Sequence, residues 1–520
     1  MLKIRKEENK ILEGAMSLTI ATVIVKILGA IYKIPISHVL GEEGMGHFNS
    51  AYTVYSFFYL LCTAGVPKAI MILCGELENE GEEKTTIIKS TITFFVWLGF
   101  SVSLSFAFLS RLLSNLIGNP DSYVSMLFIA PSILFSAISG VYRGYFSSKV
   151  EFFRVSIAQI IEGASRLIFG ILLGIFASRV YTSLSVVSAF SLLGATIGSL
   201  LSLLYLSNSA KNDIHRDKHK QIISIDKKAK LIKRIICIAF PIAAGAIIMS
   251  ITNIIDLGIV MNRLKTLGFS TSTATSLYGN YTTLATPIFN TVISLFVPLT
   301  VAFMPALIKN NSDIEKFNKT LFEEINISSF VFVPLTIGIC VYSEEILRLL
   351  FDDKWVFLGS RLLICLMISI FFIIPLYIVN SALEALGDVK ATMISMLVGG
   401  VFKVISGFVL IGNRSFGIFG APISTIVFYS TALITSVSIS LNSTKISLPF
   451  LKSMAMPLIN SFISIYTLYA FYLHISTKIN WILSFVISVI LTIALYFTLN
   501  AIEGNLKKDI QIKMPSTPTI

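Results

Sequence analysis

The chain consists almost throughout of long apolar segments separated by short polar ones. A helix needs roughly 20 mostly apolar residues to cross the hydrocarbon core of a bilayer. Fourteen segments meet this criterion, and no long polar part remains that could form a soluble domain. The pattern therefore predicts an all-α, polytopic membrane protein with 14 transmembrane helices. The predicted spans are 12–38, 47–75, 87–110, 122–147, 154–178, 182–206, 235–262, 278–306, 322–342, 358–384, 391–412, 416–441, 448–474 and 480–501.

Composition excludes a soluble globular protein. Of the 520 residues, 54% are hydrophobic and 13% are charged, whereas soluble domains have about 25% charged residues. The five cysteines lie within or at the ends of the predicted spans and indicate no disulfide framework. The sequence contains no nucleotide-binding loop and no recognisable catalytic or metal-ligand pattern. It therefore predicts a protein that is not an enzyme and that uses no cofactor and no metal.

The distribution of basic residues predicts the topology. An even number of spans puts both ends on one side, and most of the 41 Lys and Arg residues lie in the leader, the tail and the alternate loops on that same side. The positive-inside rule therefore predicts cytoplasmic N- and C-termini. A basic inner face next to anionic lipids accounts for the net charge of +12. The aromatic and basic residues are not interleaved as nucleic-acid binding would require.

The longest polar stretch, 207–234, separates the first twelve predicted helices into two sets of six. We predict an N-lobe at 1–206, a basic cytosolic linker at 207–234 and a C-lobe at 235–441. Residues 442–520 would form two extra helices and a cytosolic tail. Paired halves around a central site are a common plan in transporters. The GxxxG steps Gly170–Gly174 and Gly194–Gly198 predict close contacts between helices.

The first span carries two cations on one face. Thr22, Lys26, Gly29 and Lys33 are spaced by four, three and four residues, which aligns them along the helix. A charge at mid-bilayer costs about 2.5–3.5 kcal/mol, so such residues usually turn inward and find partners. This part of the chain contains no carboxylate, so the counter-charge comes from another helix or from an anionic ligand. We predict that both lysines bind substrate. Snorkelling of Lys33 toward the interface is the alternative.

The second span aligns polar and aromatic side chains along one face. Asn49, Tyr52, Ser56 and Tyr59 recur at helical spacing. They form a hydrogen-bonding wall that would suit sugar hydroxyls, and we include them among the predicted substrate-binding residues. Packing or interfacial anchoring of the tyrosines is the alternative.

The fifth span contains a candidate charge pair. Glu162 precedes Arg166 by four residues, in the favourable order for an intrahelical pair, and Gln159 lies one turn earlier. We predict that Glu162 and Arg166 form a self-neutralised structural pair, with Gln159 beside them.

Spans 7 and 11 contain further charges at membrane depth. Asp256 is the carboxylate in the middle of span 7, with Arg263 on the same side, and Lys403 lies among glycines in span 11. Asp256 is predicted either to pair with Lys26 or Lys403 or to bind a coupling cation. Arg263 and Lys403 complete the predicted substrate-binding set. The unneutralised charge inside the bundle is therefore positive.

Several segments resemble one family. KILGAIYKIP from Lys26, LGEEGMGHFNSAYTVYS from Leu40, GVYRGYF from Gly140, SALEALGDVK from Ser381 and GIFGAPIST from Gly417 are similar to the stage V sporulation protein B group of polysaccharide transporters, and to the related murein-precursor flippases. The resemblance implies a V-shaped pair of six-helix lobes with two extra helices that form a groove for a lipid tail. It also implies that Lys26 occupies a cationic position in a central cavity.

The resemblance further implies a function in the bacterial plasma membrane. The protein is expected to move an undecaprenyl-diphosphate-linked saccharide, such as a cell-wall or spore-cortex precursor, from the inner to the outer leaflet by alternating access. Its partners would be this substrate and membrane lipids, and the drive would be Na⁺, H⁺ or the membrane potential. One alternative is an ion-coupled exporter of small compounds from the same superfamily, and another is a membrane enzyme that polymerises or ligates lipid-linked sugars. The sequence leaves the identity of the glycan open.

Overall fold

A computed structural model describes residues 2–79, 84–216, 225–443 and 450–513. Every regular element within these ranges is helical, which confirms the predicted all-α class. Contacts between Cα atoms divide the chain into two compact units, Met1–Gly279 and Asn280–Ile520. The predicted division into six, six and two helices stays a prediction, as does the cytoplasmic location of the termini.

The described α-helices are α1 Leu2–Thr63, α2 Val66–Asn79, α3 Lys84–Leu116, α4 Tyr123–Ile129, α5 Pro131–Ser148, α6 Phe152–Val180, α7 Leu184–Arg216, α8 Ile225–Thr266, α9 Thr271–Asn280, α10 Thr286–Lys309, α11 Ile314–Val341, α12 Ser343–Arg348, α13 Asp353–Met367, α14 Ile370–Ala385, α15 Val389–Ile411, α16 Gly420–Ser443, α17 Phe450–Ile475 and α18 Trp481–Lys513.

Thirteen helical segments of the described chain are long and apolar enough to cross a bilayer. The first of them, Met16–Cys74, has 59 residues and contains a break at Gly41, whose φ of 68° and ψ of 176° are not helical. Glycine adopts a positive φ without steric cost. The parts before and after this glycine are each longer than the roughly 20 residues that a crossing needs. If both parts cross, the chain has the fourteen spans that the sequence predicts, and that count stays a prediction.

In the first unit, α6 and α7 pack through their backbones. A Cβ atom on Gly194 would collide with the backbone nitrogen of Gly170, and one on Gly198 would lie 2.6 Å from the carbonyl oxygen of Glu162. Small residues of this kind let helices approach closely within a membrane. The structure therefore confirms the close contacts that the GxxxG steps predict. The backbones of α6 and α7 are thus in direct contact. This contact fixes the backbone positions of Glu162 and Arg166, from which their side chains extend.

In the second unit, α15 packs against α16, and α11 packs against α17. A Cβ atom on Gly399 of α15 would lie 2.8 Å from the carbonyl oxygen of Phe428. The α11–α17 contact is an apolar cluster that includes Val333, Ile337 and Ile465. These contacts bury one side of α11 along most of its length.

Candidate functional site

The part of α1 before Gly41 has a packed face, an apolar exposed face and a polar exposed face. Ala21, Tyr32 and Ile36 are buried, and the Tyr32 hydroxyl donates a hydrogen bond of 3.0 Å to the carbonyl oxygen of Ser191 on α7. The apolar face consists of side chains that are 48–57% exposed and recur at helical spacing. These are Met16, Ile20, Val23, Ile27 and Ile31.

The polar face consists of the four residues that the sequence aligns. Thr22, Lys26 and Gly29 are exposed, and Lys33 is half-buried. No atom lies within 4 Å of the position that a Cβ on Gly29 would take. Neither lysine is hydrogen-bonded or ion-paired to another residue in the part of the chain that the structure describes.

Two exposed faces of opposite character on one spanning helix require two different surroundings. The apolar face is compatible with acyl chains. Cations exposed to hydrocarbon are costly, whereas cations that line a water-filled cavity are not. The polar face of Lys26 and Lys33 therefore has the character of a cavity wall with unneutralised positive charge.

A continuous row of aromatic rings begins at Tyr32, before Gly41, and follows the part of α1 after Gly41. Ring centroids are 6.0 Å apart for Tyr32 and Phe48, 6.3 Å for Phe48 and Tyr52, 5.7 Å for Tyr52 and Tyr55, and 5.6 Å for Tyr55 and Tyr59. Tyr52 is 37% exposed, and Tyr59 is half-buried. The row thus offers at least one tyrosine to a ligand.

The other two residues of the predicted sugar-binding wall are less accessible. Asn49 is buried. The Ser56 hydroxyl lies 3.0 Å from the hydroxyl of Ser250 on α8, so it joins two helices of the first unit. Their predicted contact with a sugar stays a prediction.

A three-residue ionic cluster lies between α5 and α6. Arg143 Nη2 donates to Glu162 Oε2 at 2.6 Å, and Arg166 Nη2 donates to Glu162 Oε1 at 3.5 Å. Arg143 Nη2 also lies 3.4 Å from Ser202 Oγ of α7. Two guanidinium groups therefore share one carboxylate, and the cluster keeps one net positive charge. Gln159 is half-buried one turn before Glu162.

Arg143 is the member of this cluster that sequence reasoning missed. The sequence predicts a self-neutralised pair of Glu162 and Arg166, but the shorter contact of Glu162 is with Arg143 on a different helix. The available signal was an arginine in the middle of an apolar span, between Gly140 and Gly144. Such a charge needs a partner at membrane depth. Arg166 in turn lies within electrostatic range of Tyr52, Tyr55 and Tyr59 of the aromatic row.

The remaining predicted site residues lie on α8 and α15. Asp256 and Arg263 are half-buried on α8, and Asp256 lies within electrostatic range of Tyr278 on α9. Lys403 is half-buried on α15, one turn after Gly399, which packs against α16. Because Lys26 has no ion pair in the described chain, the structure shows no Asp256–Lys26 pair. The pairing of Asp256 with Lys403 stays a prediction. Among the described residues, no group of three or more His, Cys, Asp or Glu side chains could hold a metal ion.

The fold is similar to those of two solved membrane proteins. It superposes on lipid II flippase MurJ in an inward closed conformation with a TM-score of 0.70 and 18% identity, covering 95% of this chain and 99% of that one. An inward-facing multidrug resistance MATE family transporter gives a TM-score of 0.65 and 13% identity, over 82% of this chain and 97% of that one. Together with its many apolar helices, this fold identifies a multi-pass membrane protein.

The chain belongs to the family described as polysaccharide biosynthesis protein, whose model matches residues 11–311. Among curated proteins, it is 24% identical to stage V sporulation protein B of Bacillus subtilis (strain 168) over 428 residues, which is 80% of each chain. These matches confirm the family resemblance that the sequence motifs carry.

Proposed function

We propose that the protein is a flippase that moves an undecaprenyl-diphosphate-linked saccharide from the inner to the outer leaflet by alternating access. The observation that carries this proposal is the polar, cationic face of α1, which is separate from the apolar exposed face of the same helix. The substrate combines a phosphorylated polar head with a long apolar tail. A helix with one cationic and one apolar exposed face suits both parts.

In this proposal the diphosphate binds to lysine ammonium groups. Lys26 and Lys33 are two turns apart, about 10 Å along the helix axis, and their long flexible side chains can converge on one diphosphate. Lysine binds phosphate as a mobile point charge rather than as a fixed bidentate fork. Arg263 and Lys403 are proposed to add positive charge in other stages of the cycle.

The saccharide is proposed to contact the aromatic row and its neighbours. Exposed Tyr52 offers a ring face and a hydroxyl to a sugar. Asn49, Ser56 and Tyr59 would contribute after local rearrangement. The lipid tail remains in the bilayer beside the apolar face of α1. We propose cell-wall or polysaccharide precursors, including a spore-cortex precursor, as the substrates.

The membrane potential can drive this transport without ATP. A net negative charge that moves out of a negative interior gains about 2.3 kcal/mol per 100 mV, which corresponds to a roughly 50-fold shift in distribution. Cationic side chains that move with the substrate would reduce the gain. Because the potential acts on the headgroup charge, its effect on the final distribution does not depend on how the protein is oriented in a vesicle.

We expect an imposed potential to redistribute a fluorescent undecaprenyl-diphosphate-linked saccharide in vesicles that contain the purified protein. A membrane-impermeant quencher measures the fraction in each leaflet. At 100 mV the excess in the positive leaflet should approach roughly 50-fold per net charge moved, and protein-free vesicles should show no redistribution. If the protein-containing and protein-free vesicles behave alike, the protein is not a flippase for this class of lipid.

An ion-coupled exporter of small cationic compounds is the second candidate, favoured by the likeness to a multidrug resistance MATE transporter fold. Such an exporter would need acidic residues facing its cavity. In the described part of the first unit, Glu162 is shared by two arginines, and the polar face of α1 carries lysines. Greater drug sensitivity of a deletion strain, with an unchanged distribution of lipid-linked saccharides between the leaflets, would favour this candidate.

A further inference from the structure

Helix α11 buries a carboxyl group that has no partner. Glu324 has 0% of its surface exposed, and neither of its carboxyl oxygens is hydrogen-bonded. Ser328 lies one turn later on the same face of the helix, and its hydroxyl is also without a partner. By contrast, the Thr336 and Thr320 hydroxyls of the same helix donate to backbone carbonyls at 2.6 and 3.0 Å. The Glu324 carboxyl and the Ser328 hydroxyl therefore make no hydrogen bond in the folded protein.

No charged group in the described chain compensates Glu324. Helix α11 packs against α10, α12, α13, α14 and α17, and touches α18 through the Phe330 carbonyl. None of their described acidic or basic groups is ion-paired or hydrogen-bonded to Glu324. These groups are Lys309 on α10; Glu344, Glu345 and Arg348 on α12; Asp353, Lys354, Arg361 and Cys365 on α13; Tyr377 and Glu384 on α14; Tyr466, Tyr469, Tyr472 and His474 on α17; and Tyr496 on α18.

The free energy of burial decides which species occupies this position. Burial of an isolated carboxylate carries a large desolvation free energy, and no nearby cation offsets it here. A metal ion would need several converging oxygen ligands, whereas Glu324 and Ser328 supply one unpartnered carboxyl and one unpartnered hydroxyl. A proton needs a single oxygen. A protonated Glu324 can also donate to the Ser328 hydroxyl, and this one bond gives both unpartnered groups a partner.

We propose that Glu324 is a proton-binding site that couples protonation to the packing of α11. In the packed arrangement the carboxylate takes up one proton from water and becomes a neutral carboxylic acid. When this face of α11 opens to water during a conformational cycle, the acid releases that proton. Acidic conditions thus favour the packed arrangement, and alkaline conditions favour the open one.

Infrared spectroscopy of the purified full-length protein in lipid nanodiscs tests the site. Wild type at pH 7 should show the carbonyl stretch of a protonated carboxylic acid that is missing from Glu324→Gln. Glu323→Gln is the matched control, because Glu323 is the exposed neighbour on the same helix, and it should retain that band. If the wild-type minus Glu324→Gln difference spectrum shows carboxylate bands instead of the acid band, the proposal is wrong.

Thermal unfolding gives a second readout, which uses an isosteric variant that retains the buried shape. In the unfolded chain a glutamate is ionised above about pH 4.3. The folded wild type therefore holds a proton that the unfolded chain has lost, and its stability falls as pH rises. Glu324→Gln lacks this dependence. The thermal unfolding midpoint of Glu324→Gln should therefore increase progressively relative to that of wild type between pH 5 and 9. Parallel profiles for wild type, Glu324→Gln and Glu323→Gln would overturn the proposal. Both readouts report on Glu324 whether or not the protein moves lipid-linked saccharides.

Discussion

Lys26→Ala should slow transfer of an undecaprenyl-diphosphate-linked saccharide by about 10- to 150-fold at subsaturating substrate. Removing a hydrogen bond to a charged group costs about 1.5–3 kcal/mol, and each 1.4 kcal/mol corresponds to a factor of ten. Lys26 is exposed on the polar face of α1 and has no partner in the described chain that would compete with the substrate. The measurement is the initial rate of leaflet exchange in reconstituted vesicles.

Two variants accompany this experiment. Lys390→Ala removes an exposed lysine at the start of α15, outside the proposed site, and should leave the rate within about twofold of wild type. Lys26→Arg keeps the positive charge and should retain most of the rate. A wild-type rate in Lys26→Ala would refute the assignment of Lys26 to the diphosphate.

Arg143→Ala should destabilise the protein by about 3 kcal/mol, because it breaks a largely buried ion pair and leaves the Glu162 carboxylate poorly compensated. The Arg143 and Glu162 side chains are 18% and 15% exposed, and their 2.6 Å contact is shorter than the 3.5 Å contact of Glu162 with Arg166. Denaturant or thermal unfolding in lipid nanodiscs measures the loss.

Arg348→Ala is the matched control for Arg143→Ala. Arg348 pairs with Asp353 at 3.0 Å, but the two side chains are 46% and 77% exposed. Exposed pairs contribute about 0–1 kcal/mol, so this variant should lose little stability. If Arg143→Ala loses no more stability than Arg348→Ala, the ionic cluster does not hold α5 and α6 together.

The sequence predicts well those features that depend on short chain separation. The positions of the apolar segments follow from local hydropathy, and the alignment of Thr22, Lys26, Gly29 and Lys33 follows from helical spacing within three turns. The GxxxG steps correctly predict close contacts because two small residues four apart make a groove on any helix. Each of these inferences needs only the neighbouring residues.

The sequence fails where the partner is distant along the chain. Arg143 is 19 residues before Glu162 and on another helix, so no helical spacing relates them. Glu324 lies near the end of a predicted span, a position where a carboxylate usually reaches water. Its burial depends on the helices packed around α11, which the local pattern does not encode.

The most direct test of the central claim is the water accessibility of α1. In a variant that lacks the five native cysteines, single cysteines replace Thr22 and Gly29 on the polar face and Val23 and Ile27 on the apolar face. A charged, membrane-impermeant thiol reagent should label the first two in lipid vesicles, and a diphosphate-linked lipid should protect them. The latter two should stay unlabelled. Equal labelling of both faces, or none on the polar face, would contradict a water-filled cationic cavity beside Lys26.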